Sequence, residues 1–175
     1  MINHHSIHIK ATASEAFKQL VIWGESDWWP ADTPMRYTRL TPGEVGVGTR
    51  YHQKVHVPFG PEWDVEVVSL SPDREVSRKF LNGMFTGFER VYIIPGRDAC
   101  EVHFLMDFEV SGGKDGFLWK HLFRKKHDEN IKKILLALKG YLEGGPVEAE
   151  VEEYPATAAE ADRRRFLKGL FKRQG

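Results

Sequence analysis

Residues 99–143 read ACEVHFLMDFEVSGGKDGFLWKHLFRKKHDENIKKILLALKGYLE, a strand, a turn and a long helix in direct succession. Val102, Phe104, Met106, Phe108 and Val110 place an apolar side chain at every second position, the period of a strand buried on one face. Glu101, His103, Asp107 and Glu109 between them then face water. After Ser111-Gly112-Gly113 the period lengthens. Phe117, His121, Arg124, Asp128, Ile131, Leu135, Leu138 and Leu142 fall on one helical stripe at spacings of three and four. The C-terminal half of the stripe is apolar core, whereas His121, Arg124 and Asp128 stand where apolar residues are expected. Over its first turns the helix therefore either leaves the core or lines a cavity with polar groups.

Upstream, residues 2–10 read as a first strand, followed by a helix opened at Ala13-Ser14-Glu15, with Ser14 as candidate N-cap and Ala16, Phe17, Leu20 and Val21 facing inward. A second short helix is expected over 23–29, stopped by Pro30 and Pro34. Five further strands follow over 35–41, 49–57, 62–69, 75–81 and 84–94. Their short turns, among them Ser71-Pro72-Asp73, Asn82-Gly83 and Pro95-Gly96, favour antiparallel hairpins and a meander.

The chain has 175 residues, 25 of them basic and 25 acidic, so no global field favours nucleic acid. Cys100 is its only cysteine and has no internal partner for a disulfide. There is no secretory apolar core and no apolar run of about 18 residues, so a cytoplasmic protein is expected. Gly144-Gly145-Pro146 ends the long helix and divides a domain, 1–144, from a tail, 145–175. The tail is acidic at first and basic from Arg163 onward, where Phe166, Leu167, Leu170 and Phe171 share one helical face. That pattern fits a basic amphipathic helix on an anionic membrane. The bland alternative, which weighs more, is a frayed tail or one docked on its own domain or a dimer mate, or one whose basic run pairs with the acidic run before it.

The run 7–17, IHIKATASEAF, resembles the opening of the START-like, Bet v 1-like superfamily, with Thr12 where proline is common. Gly46-Val47-Gly48-Thr49 and the strand and turn 65–74 resemble further elements of the same superfamily, and the helix end 134–143 is similar to that of the polyketide cyclase/dehydrase-like branch. The resemblance covers residues 2–143. It implies an α+β helix-grip fold, in which two short helices follow the first strand and a curved antiparallel sheet of six to seven strands wraps a long C-terminal helix around a hydrophobic cavity. It also implies lipid carriers, small-molecule binders and aromatase/cyclases as relatives, without a transferable catalytic motif.

If the strands alternate as read, Tyr51, Gln53, Trp63, Arg78, Phe88, Arg90 and Tyr92 point the same way as Phe104 and Met106. With Phe117, His121, Arg124 and Asp128 they form the candidate ligand-binding set. A register slip of one residue in any strand turns its charges outward instead. His121 and Asp128 are two turns apart, about 10.5 Å, too far for a direct hydrogen bond. His4, His8 and His103 are expected on the exposed convex face, where no metal site is expected. Trp23, Trp28 and Trp29 either gate the cavity or anchor their segment to the sheet. The leading expectation is binding or transport of a hydrophobic small molecule or lipid, without cofactor. The alternatives are a polyketide cyclase/dehydratase-like enzyme using His121, Arg90 or Arg78, and a protein-interaction module.

Overall fold

The computed structural model describes residues 1–145 and 150–154. Strand β1 (Ile2–Ile9) leads into helix α1 (Ala13–Val21), then β2 (Met35–Arg39), β3 (Arg50–Val55), β4 (Glu62–Ser71), β5 (Glu75–Phe80), β6 (Phe85–Pro95) and β7 (Cys100–Val110). A helical run follows, in three parts: α2 (Lys114–Leu118), a π-helical turn (Trp119–Phe123) and α3 (Arg124–Glu143). β8 (Glu152–Glu153) is a short final strand. Among the described residues one antiparallel sheet runs β2-β3-β4-β5-β6-β7-β1-β8, so the meander closes with the first strand beside the seventh. The eighth strand exceeds the six or seven expected and comes from the tail.

Helix α1 is capped by Thr12 rather than Ser14. Glu15 N donates to Thr12 Oγ1 (3.3 Å) and Thr12 N donates to Glu15 Oε2 (2.8 Å), a reciprocal box that satisfies two backbone donors. The helix expected over 23–29 is replaced by turns. Gly24 adopts φ +86°, outside helical geometry, and a Cβ there would lie 2.4 Å from Tyr37 Cγ. The three indoles nearby pack as one aromatic group, Trp23 at 5.9 Å from Trp28 and 5.3 Å from Trp29. They anchor the segment to the core.

Helix α3 lies across β1, and Ile131, Ile134, Leu135 and Leu138 bury its apolar stripe among Trp23, Phe85, Phe104 and Met106. Its end is set by Gly144, left-handed at φ +77°. β7 alternates as expected. β6 does not: Glu89 pairs with Met106 and Val91 with Phe104, so Phe85, Glu89, Val91 and Ile93 face inward while Phe88, Arg90 and Tyr92 face the convex side. That convex face is itself covered. His4 and His103 are buried, their rings joined at Nε2 to Nδ1 by 3.0 Å, and Tyr154, the residue after β8, stacks on His4 at 4.4 Å. Among the described residues no cluster suited to a metal ion is present there or elsewhere.

Candidate functional site

At one end of the molecule the β3–β4 turn faces the start of the helical run. Gly60 makes the turn tight, since a Cβ there would sit 1.9 Å from the Val55 carbonyl oxygen. Opposite it, the π-helical turn carries one more residue per turn than an α-helix. The buried face consequently advances in steps of four, from Trp119 through half-buried Phe123 to His127 and Ile131. Between turn and helix lies an open groove of about 790 Å³, lined by Val57, Pro58, Phe59, Gly60, Asp115, Leu118, Leu122, Phe123 and Lys126. It adjoins an inner cavity of about 30 Å³, lined by Pro34, Met35, Val55, Val57, Pro61, Trp63, Trp119, Phe123, Lys126, His127 and Asn130.

An aromatic cluster forms the cavity floor, with Phe85 at 4.9 Å from Trp63 and at 4.9 Å from Trp119, both edge to face. The indole nitrogens of Trp63 and Trp119 are buried without an acceptor among the described residues, and Gln53, opposite Trp63 in the ladder, has neither amide atom paired. Unmet donors of this kind cost free energy unless a polar atom reaches them.

Deeper in, Arg78 Nη1 donates to Glu89 Oε1 at 2.9 Å with both side chains almost wholly buried. The guanidinium lies 5.9 Å from the ring of Tyr51. Burial and then the Glu25 carboxylate push the Tyr51 phenol up to about 12, so it stays neutral in ordinary buffers. On the helix side Asn3 Nδ2 donates to Asp128, whose Oδ1 is 3.6 Å from His5 Nε2 and 3.8 Å from His127 Nδ1. Burial would raise the Asp128 carboxyl, but the close His127 and His5 rings and the hydrogen bond from Asn3 outweigh it and hold the group well below the usual carboxylate range.

The architecture has close counterparts among solved structures. A START superfamily protein from Mycobacterium smegmatis superposes with TM-score 0.61 at 16% identity, over 82% of this chain and 97% of that one. This is the START-like helix-grip fold. Norcoclaurine synthase from Thalictrum flavum, in complex with dopamine and hydroxybenzaldehyde, gives TM-score 0.59 at 16% identity over 85% of this chain and 89% of its own. An aromatase/cyclase, Zhui from Streptomyces sp. R1128, gives 0.57 at 18% identity over 84% and 99%. No protein-family model and no curated protein matches the sequence.

Within the helix-grip frame, Tyr51, Gln53, Trp63, Arg78, Phe104 and Met106 point inward as expected. Phe88, Arg90 and Tyr92 are on the convex face, where Arg90 pairs with Glu75 at 2.8 Å and lies over the Tyr92 ring at 4.4 Å. Phe117, His121 and Arg124 are exposed, because the π-helical turn rotates the first helical turns away from the expected stripe. Of that polar stripe only Asp128 reaches the site, at its edge. The pattern reading missed Glu89, His5, Trp119 and His127. Trp119, Phe123, His127 and Ile131 at intervals of four were the signal for the last two. The membrane-contact residues expected in the tail, Phe166, Leu167, Leu170 and Phe171, lie outside the described residues.

Proposed function

We propose that this helix-grip protein binds a hydrophobic small molecule or lipid, its apolar body in the open groove and a hydrogen-bond-accepting end turned toward the inner cavity. The observation that carries the proposal is continuity. Groove and cavity share Val57, Phe123 and Lys126, so a wide apolar trough narrows toward Trp63 and Trp119, which line its inner end. An apolar pocket of roughly 300–1,000 Å³ with a few converging polar groups is the usual form of a small-molecule site. The complexed norcoclaurine synthase supports the reading by analogy of fold alone. The test is native mass spectrometry of protein purified without detergent, combined with titration by the neutral dye N-phenylnaphthylamine. A co-purifying hydrophobe or saturable dye binding is expected, and the absence of both removes the proposal. No described helix is long and apolar enough to cross a membrane.

One observation favours a second reading, a cyclase/dehydratase-like enzyme. His127 lines the cavity with an Asp128 oxygen 3.8 Å from its Nδ1, so a small approach would let the carboxylate orient an imidazole base. His121 and Arg90, first assigned that chemistry, face away from the cavity, and Arg78 is committed to Glu89. Turnover of an aromatic polyketide-like substrate that survives His127→Gln excludes this reading.

A further inference from the structure

The end of the molecule that carries the groove also presents three exposed large apolar side chains. Phe59, at the tip of the β3–β4 turn, is 95% exposed, and Phe117 and Leu122 on the helical run are 63% and 54% exposed. Phe59 is held at φ +58°, a left-handed conformation that a bulky residue adopts at a cost. An aromatic ring kept both strained and hydrated at a turn tip points to a partner that takes it up.

The charge around these side chains is predominantly basic. Lys120, Arg124, Lys125 and Lys126 are all exposed, and the nearest acid on the groove wall is Asp115. Lys125 pairs with Glu129 at 3.9 Å, while Lys120, Arg124 and Lys126 have no ion-pair partner among the described residues. In a chain of net charge zero this is a local concentration of cations. Protruding Phe and Leu side chains ringed by long basic ones are the composition of an interfacial membrane contact. The apolar groups enter the headgroup boundary and the cations meet anionic lipid. A protein partner would instead call for a shaped, packed patch, and here the apolar groups stand out singly from two separate segments.

We infer that the β3–β4 tip and the exposed side of residues 117–126 form a docking surface for an anionic lipid membrane, with Phe59 and Phe117 as the inserting groups and Lys120 and Arg124 as the headgroup contacts. The inference goes beyond the ligand proposal and does not depend on it, because vesicle binding is scored with no hydrophobe added. It is tested on the full chain by co-sedimentation with phosphatidylcholine vesicles containing about one third phosphatidylserine, compared with pure phosphatidylcholine. Binding to the anionic vesicles alone is expected. It should fall about tenfold or more in Phe59→Ser and in Lys120→Glu/Arg124→Glu, and should weaken as salt rises from about 0.1 to 1 M. Phe59, Lys120 and Arg124 are all exposed, so unaltered thermal melting confirms that these variants are folded. Phe166→Ser/Phe171→Ser should retain binding. Equal binding to both vesicle types, no binding to either, insensitivity to the Phe59 and Lys120/Arg124 changes, or loss in the tail variant alone would each overturn the inference.

Discussion

The Asp128 carboxylate sits between opposed effects: burial disfavours its charge, and the close His127 and His5 rings with the hydrogen bond from Asn3 favour it more. The folded value is therefore depressed below an unfolded value near 3.9, so the contribution is complete above that value and is lost as pH falls through the folded one. Asp128→Asn should cost about 1–2 kcal/mol at neutral pH, the scale of hydrogen bonds to a partly solvated charged group. The deficit should close as pH is lowered from about 5 to about 2. Urea unfolding at stepped pH reads this directly, and a deficit constant with pH would refute it. The Arg78–Glu89 pair is a different case, because both side chains are almost wholly buried. Arg78→Met leaves Glu89 charged and unpaired and should cost about 3–5 kcal/mol. Arg78→Met/Glu89→Leu should regain most of that loss in the same unfolding assay, since desolvating the pair was itself costly.

The π-helical turn decides which side chains the C-terminal helix offers to the site. Its additional residue sets Trp119 into the aromatic floor and leaves Phe117 and His121 exposed. Deleting Lys120, itself exposed, should return the turn to α geometry and rotate everything before it by about 100°. Trp119 then leaves the core at a cost of about 3 kcal/mol, seen as a fall in Tm of about 6–12 °C. Lys120→Ala should leave Tm nearly unchanged. This turn was hidden in the sequence because intervals of three and four fit Phe117, His121 and Arg124 as well as intervals of four fit Trp119, Phe123 and His127. β6 was ambiguous for a related reason. Phe88, Tyr92 and Ile94 alternate as well as Phe85, Val91 and Ile93, so periodicity does not choose a face. The buried Arg78–Glu89 partnership and the close approach of Gly87 to β7, where a Cβ would meet the Asp107 carbonyl oxygen at 2.2 Å, fix the register through contacts distant in sequence. β7 was legible because its two faces differ in polarity along nearly the whole strand.

Across the whole molecule, element order conveyed the helix grip: one strand and a helix, a meander, then a long helix that returns across the first strand. The location of usable space was not legible, because it depends on how large side chains share the interior. Trp23, Phe85 and Phe104 pack beneath α3, and the 790 Å³ groove opens where the β3–β4 turn meets the π-helical turn. Two substitutions separate these regions. Leu122 is 54% exposed on the groove wall, so Leu122→Trp should alter stability by less than about 1 kcal/mol while filling groove volume. Leu135 is fully buried under the sheet, so Leu135→Ala should cost about 2–5 kcal/mol through lost transfer energy and a residual cavity. If the groove holds the ligand, Leu122→Trp weakens N-phenylnaphthylamine binding about tenfold and Leu135→Ala leaves it nearly intact at temperatures where the variant is folded. The reverse pattern would place the ligand beneath α3, because the cavity made at Leu135 would then enlarge the site while the groove substitution left it untouched.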